Sequence, residues 1–398
     1  MIRLTVDMED SGTGQDLTIQ STETMQTEER DDTVIVPLRR ASRRERPVTL
    51  HDVTYEELEA RLTAEGLPRF RADQIFRWTY GQLAASYDDM TVLSKDLRAR
   101  LPEILPLTKL EPVRSIETDD GLTRKLLFRT FDGEHLETVV MFYADRTTVC
   151  VSCQVGCAVG CSFCATGMMG LTRNLTTGEM VSQVFEAARE ARRHGRTLSN
   201  IVMMGMGEPF QNYDAVMKMV SILHDPRGLN FGSRRTTIST SGLIPFIDRL
   251  ADEPFQVKLA VSLHAPNDAL RDTLVPLNRR YPVGALIAAC RRYVRTTGRR
   301  VTFEYALIKG VNDSDQIATE LAILLKGLLC HVNVIPLNPT PAAPFERPTT
   351  ERIERFAEVI RRRGISVTVR YSRGVDIAAA CGQLRTEHEE QQASSPSA

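Results

Sequence analysis

Apolar positions along the chain change their spacing three times, and each change marks a segment. Residues 1–47 are polar, charged and nearly free of aromatics, with no sustained period, and predict a disordered leader. From Thr54-Tyr-Glu-Glu57, which has the form of a capping box, a helix is expected to about Leu62, stopping at Gly66 and Pro68. A second helix runs through Ala72, Ile75, Phe76 and Tyr80, and a third through Leu93, Leu97 and Leu101. These helices make a small accessory module over 48–105, in which Trp78 and Tyr80 are read as core residues ahead of base-stacking ones.

Over 106–153 the period becomes two. Runs at 111–116, 125–130 and 136–143, broken by Asp119-Asp-Gly121 and Asp132-Gly133, predict a β-meander. From 154 to 384 short apolar runs alternate with helical periods. Strands are expected at 201–206, 236–240, 257–263, 301–308, 332–336 and 367–369, and helices at 213–224, 283–296, 314–327 and 350–363, with a further helix capped by Thr176-Thr-Gly-Glu179. Alternation without hairpin spacing implies a parallel sheet with crossover helices. The fold class is therefore α/β: an open, partial (β/α)6 barrel with a helical domain and a meander in front. A disordered tail is expected over 385–398. In such barrels chemistry sits at the carboxyl ends of the strands, and Gly207-Glu208-Pro209, Ser239-Thr-Ser241, Ser262-Leu-His264 and Asn338-Pro339 each follow an apolar run.

Composition narrows the class. At 398 residues, 42% hydrophobic and 25% charged, the chain can bury a sizeable core. It lacks both an apolar run of about 18 residues and a signal-peptide-like start, so a cytoplasmic protein off the membrane is expected. The net charge of −1 conceals a division: residues 1–32 carry −7 and 385–398 carry −2, which leaves +8 over 33–384. Arginine clusters at 39–46, 234–235, 279–280, 291–300 and 361–363 favour a nucleic-acid partner over a purely solvated surface.

The chemistry is concentrated in cysteines. Five of the eight lie between 150 and 164, which argues for a metal or redox site in a reducing compartment. In Cys157-Ala-Val-Gly-Cys161-Ser-Phe-Cys164, three thiols at close spacing among glycines can turn to one centre. Three thiolates are one short of saturating a [4Fe–4S] cube. The iron left open is what a radical S-adenosylmethionine (SAM) enzyme uses to chelate SAM and cleave it. Zinc and plain buried cysteines are the alternatives.

At this point the text resembles the RlmN/Cfr class of radical SAM adenine methyltransferases, nearer its RlmN branch. The resemblance is carried by Cys150-Val-Ser-Cys-Gln-Val-Gly-Cys157, Cys161-Ser-Phe-Cys164, Met203-Met-Gly-Met-Gly-Glu-Pro209, Ser239-Thr-Ser-Gly242 and Ser262-Leu-His-Ala-Pro-Asn-Asp268. It continues in Glu304-Tyr-Ala-Leu-Ile-Lys-Gly-Val-Asn-Asp313, Ile335-Pro-Leu-Asn-Pro339 and Arg373-Gly-Val-Asp-Ile-Ala-Ala-Ala-Cys-Gly-Gln383, over about residues 50–384. It implies methylation at C2 of adenine 2503 in 23S rRNA and of adenine 37 in tRNAs, with two SAM molecules per turnover.

By the same resemblance Cys381 accepts a methyl from the first SAM. The second, cleaved at the cluster, yields a radical that takes hydrogen from that S-methyl, and the carbon radical adds to C2. Glu137 accepts the C2 proton, and Cys150 releases the product by forming a disulfide with Cys381, which an external reductant resets. Gly207, Glu208, Ser239, Ser262, Leu263, His264 and Asn338 match the family's SAM contacts, and Cys157, Cys161 and Cys164 its cluster ligands. A monomer is expected. Cys153 stands where the family commonly has serine, which raises the question of a fourth thiol near the cluster. Alternatives are Cfr-like methylation at C8, an iron–sulfur RNA-binding protein without methyl transfer, and radical chemistry on a small molecule.

Overall fold

Local signals place the first helices. In the computed structural model, which describes residues 47–384 except 109, 341 and 342, α1 spans Tyr55–Ala64. The Thr54 hydroxyl accepts from Glu57 N, and the Glu57 carboxylate accepts from Thr54 N at 2.9 Å, completing the capping box. Next come α2 (Phe70–Phe76), which runs on into a π turn at Arg77–Gly81, and α3 (Lys95–Ile104). Leu58, Leu62, Ile75, Phe76, Tyr80, Leu97 and Leu101 are buried in the same apolar cluster as the residues of the main sheet, with Trp78 packed against it. The helical module therefore shares the principal core. The expected tail and all but the last residue of the expected leader lie outside the described residues.

In chain order the sheet-forming part comprises β1 (Glu111–Glu117), β2 (Thr123–Arg129), β3 (His135–Phe142), β4 (Thr147–Cys150), β5 (Gln154–Gly156), α4 (Ala165–Met168), β6 (Leu171–Asn174), α5 (Thr177–Arg193), β7 (Asn200–Met203) and α6 (Tyr213–His224). It continues with β8 (Thr236–Thr240), α7 (Ile244–Asp252), β9 (Lys258–Ser262), α8 (Asp268–Leu274), α9 (Val283–Thr297), β10 (Val301–Leu307), α10 (Asp315–Leu324), β11 (Cys330–Pro336), α11 (Thr350–Arg361) and β12 (Val367–Val369). Ten strands form one sheet in the order β1-β2-β3-β4-β7-β8-β9-β10-β11-β12. Pairing is antiparallel from β1 to β4 and parallel from β4 to β12. No helix among the described residues is long and apolar enough to cross a membrane.

Three features depart from the periodicity. β4 is only four residues long and pairs antiparallel with β3 and parallel with β7, so it closes the meander and opens the parallel part. α7 and α8, of nine and seven residues, are too short for a sustained helical period. The expectation of no hairpin is corrected by the antiparallel pair β5–β6, whose strands embrace the cysteine loop. Gly156 makes this closure possible: it sits at φ +76°, and a Cβ there would lie 1.8 Å from the Gly170 carbonyl oxygen. The Cys157 N–H donates to that same oxygen at 2.8 Å, tying the two ends of the loop.

Candidate active site

A cavity of about 170 Å³ opens at the carboxyl ends of the parallel strands. Its wall carries Cys157, Cys161 and Cys164 from the loop, Gly207 and Glu208 after β7, Ser239 in β8, Ser262 and His264 around the end of β9, Asn338 after β11, and Cys381. Ten of the thirteen residues singled out in the sequence thus meet in one place. Leu263 is fully buried and does not line it; its N–H donates to Glu304 O and its carbonyl accepts from Arg271. Cys150 and Glu137 also lie off this wall.

The loop is fixed from both sides. Ser162 N and Oγ donate to the carbonyls of Leu274 and Thr273 at the end of α8, and Ala165 N donates to Gly382 O, next to Cys381. Burial raises the Cys157 thiol to about 12 and pushes Cys161 and Cys164 up as well, so these groups become thiolates only by exchanging protons for metal. Among the described residues no group of three His, Cys, Asp or Glu is spaced to hold a metal ion. The three thiols share one wall of the cavity and are the donor type of an iron–sulfur cluster, so Cys157, Cys161 and Cys164 would hold one there. Cys153 is 1% exposed in the principal core and is absent from the cavity wall, so it adds no fourth thiol there.

The rest of the wall is polar and preorganised. Glu208 is buried, its Oε1 accepting from Phe210 N at 3.0 Å and its Oε2 from Ser241 N at 2.7 Å. Burial pushes this carboxyl up, and the backbone donors at Ser241 and Phe210 oppose that. Gly207, at φ +104°, could carry no side chain, because a Cβ would lie 2.6 Å from Gln154 Cβ. His264 holds a left-handed φ of 60°, and its Nδ1 accepts from Ala306 N at 2.9 Å, which puts the ring proton on Nε2. Burial, with Arg271 adding to it, depresses its pKa to about 3, so the ring is neutral.

Asn338 donates to Ser372 Oγ and to the Cys381 carbonyl, while its buried Oδ1 accepts from no protein group among the described residues. Glu304 Oε2, on the same wall, is likewise buried without a protein donor. Two acceptors left for a ligand's donors fit an amino and hydroxyl-bearing nucleoside such as SAM. Glu304 is not among the site residues expected from the sequence; its signals there are an acid within an apolar strand and its place at the head of a motif that carries the resemblance.

Cys381 also borders a second, smaller chamber of about 30 Å³, shared with Cys150, Val139, Met141, Met204, Arg370 and Arg373. Cys150 is 8% exposed, and burial, followed by the nearby Cys381, raises its thiol to about 12. Glu137 lies on the same face of β3 as Val139 and Met141 and is buried, its carboxylate 3.0 Å from Lys125 Nζ. Lys125 also donates to Ala378 O at 3.3 Å, so it joins Glu137 to the loop that carries Cys381. At the chamber's edge the Tyr143 ring is flanked by the guanidiniums of Arg146 and Arg373, 4.1 and 4.5 Å from its centroid. Several of the arginines that cluster in the sequence lie elsewhere: Arg234, Arg235, Arg299, Arg300 and those at 361–363 precede β8, β10 and β12, at the strands' amino ends, while the cluster at 39–46 falls outside the described residues.

A partial parallel barrel with a three-cysteine loop at its mouth defines a radical SAM protein. Comparison with known proteins agrees: residues 151–322 match the Radical SAM superfamily, and residues 48–106 match the ribosomal RNA large subunit methyltransferase N-terminal domain. A probable dual-specificity RNA methyltransferase RlmN of Chloroflexus aurantiacus is 50% identical over 350 residues, covering 85% of this chain and 93% of that protein. Its counterpart in Roseiflexus sp. is 48% identical over 380 residues, covering 84% and 95%. A radical SAM methyltransferase from Sphaerobacter thermophilus, known from a crystal structure, is 75% identical with a TM-score of 0.85, covering 85% of this chain and 99% of that one. The chain belongs to the RlmN family of SAM-dependent radical RNA methyltransferases.

Proposed function

We propose that this enzyme methylates C2 of adenine 2503 in 23S rRNA and of adenine 37 in tRNAs through a methyl group carried on Cys381. The observation that supports this best is the position of Cys381 on two chambers, one walled by the loop cysteines and Glu208, the other holding Cys150. C2 lies between two ring nitrogens and is too electron-poor to attack the methyl of SAM, so a protein carrier is needed. When bound, a [4Fe–4S] cluster on Cys157, Cys161 and Cys164 supplies the electron that cleaves SAM. Glu208 receives the ammonium of SAM, and Gly207 lets the backbone approach. Ser239, Ser262, His264 and Asn338 hold its remaining polar groups, and Leu263, whose backbone is engaged by Glu304 and Arg271, fixes Ser262 and His264 on either side of it.

Cys381, half-exposed on the wall, takes the first methyl and presents its carbon to the base. The Glu137 carboxylate takes the C2 proton once the base is joined to that carbon. The adduct gives its unpaired electron to a one-electron acceptor, and Cys150 then attacks the Cys381 sulfur: an S–S bond forms, the S–C bond breaks with its electron pair going to carbon, and that carbon takes a proton to become the methyl of the base. An external thiol reductant returns both thiols. The enzyme acts as a cytoplasmic monomer on RNA.

Nucleoside mass spectrometry of 23S rRNA and tRNA incubated with reduced, iron-loaded enzyme and SAM tests the reading. 2-Methyladenosine is expected. Formation of 8-methyladenosine alone, or of product by the Cys381→Ala variant, would overturn it.

A further inference from the structure

Among the described residues Arg271, in α8, is the largest side chain with no exposure to solvent. Its guanidinium donates to Leu263 O at 2.9 Å, Ser262 O at 3.0 Å, Ser241 O at 2.6 Å and Asn278 Oδ1 at 3.0 Å. Every acceptor is neutral, and among the described residues no carboxylate lies within ion-pairing distance of it. The closest anions stand behind Asn278, whose Nδ2 donates to Asp268 at 3.0 Å and Asp272 at 2.7 Å. Burial depresses the guanidinium only to about 10, so it keeps its charge at neutral pH. A buried charge without a countercharge is costly. A carbonyl cage satisfies its hydrogen bonds but not its charge.

The missing countercharge has one evident place. The turn that carries Arg271 is also the turn on which the cysteine loop rests, through Ser162 N to Leu274 O at 3.1 Å and Ser162 Oγ to Thr273 O at 3.0 Å. Cys161 packs with Leu270 and Leu274 in one apolar cluster, on either side of Arg271 in the sequence.

We propose that Arg271 is a positioning residue that works through its charge. It ties the ends of β8 and β9 together and acts as the fixed countercharge that raises the reduction potential of the cluster held by Cys157, Cys161 and Cys164. Reduction adds negative charge beside a cation already in place, so the reduced form gains most from it. The inference rests on the cluster in the reading above.

The test is an EPR-monitored redox titration of full-length, reconstituted protein without SAM. R271M is expected to titrate at a potential lower by at least ~59 mV, the value of a tenfold change in a one-electron equilibrium. R271K keeps the charge and loses the fork, so its potential stays near that of the parent. A purely structural role would make the two variants alike. D272N removes an anion behind Asn278 and should move the potential upward. An unmoved potential in iron-loaded R271M overturns the proposal. Should R271M fail to load iron, D272N decides: a rise supports the countercharge and no change overturns it. Failure of the cluster reading itself would show differently, as a parent protein without iron, sulfide or their absorbance.

Discussion

Lys125 and Glu137 form an ion pair at 3.0 Å, both side chains less than a tenth exposed, on the sheet face that receives the loop of Cys381. Lys125 stands opposite Val139 in the β2–β3 register and spends a second hydrogen bond on Ala378 O. Removing one member of a buried pair costs about 3–5 kcal/mol, because the remaining charge stays in a poor dielectric. Lys125→Met should therefore lower the thermal midpoint. In the surviving folded fraction it should also slow methyl transfer more than Lys125→Arg does. Equal methyl-transfer rates for the two folded variants would leave the pair a purely structural role.

The two thiols of the second chamber differ in burial. Burial holds Cys150 as a protonated thiol, raised to about 12, while Cys381 is half-exposed on the wall of the larger cavity. Only thiolates are nucleophilic. At pH 7.5 iodoacetamide should label Cys381 well before Cys150, by peptide mapping. The Cys150 rate should rise about tenfold per pH unit over the range in which the fold persists. Equal labelling at neutral pH would contradict the inequality. This difference would let the first methyl go to one cysteine and spare the other.

Acid should destabilise the fold through two buried imidazoles. His51 and His264 are both depressed to about 3, chiefly by burial, from an ordinary value of 6.5. Between those values the unfolded chain binds more protons than the native one, so stability is retained above pH 6.5 and falls as pH drops below it. Glu208 and Glu304, which burial pushes up, act in the opposite sense. A single histidine can be isolated: between pH 7 and 5.5 His51→Gln should lose about 1.3 kcal/mol less stability than the parent in denaturant titrations. Identical losses would show that His51 protonates without penalty.

RNA should be held beside the second chamber. Arg146 and Arg373 both stack on the Tyr143 ring, Arg146 also pairing with Asp145, and together they place two guanidiniums where phosphate can reach them. The double change Arg146→Ala and Arg373→Ala should weaken RNA binding and reduce the salt slope of the affinity by about 1–2. SAM affinity should not change. Matching substitutions at Arg299 and Arg300, at the amino end of β10, should alter RNA affinity less. The reverse ranking would move the interface to the opposite end of the barrel.

How much of this was legible in the sequence depended on how local each signal was. The caps at Thr54 and Thr176, the three-cysteine loop and the strands at 236–240 and 367–369 are written in contiguous text, and the structure has them there. Cys150 and Cys381 came from resemblance, and the structure gives them one chamber. What escaped was set by partners far along the chain. β4 is recognisable only from its two neighbours, Lys125 only from Glu137 and Ala378, and Arg271 only from carbonyls of other strands. The arginine clusters favoured a nucleic-acid partner, which agrees with the RNA methyltransferase family, but density along a sequence does not say which end of a barrel a cluster decorates.

The topology also bears on how the protein is made. Cys150 ends β4, the first strand of the parallel run, whereas Cys381 follows β12, the last strand of the same sheet. During synthesis the first thiol leaves the ribosome long before the second, and β4 can begin to pair while Cys381 is still untranslated. Their shared chamber arises only when the final strand docks. A nascent chain stalled before β12 would therefore carry Cys150 without the wall that brings it beside Cys381.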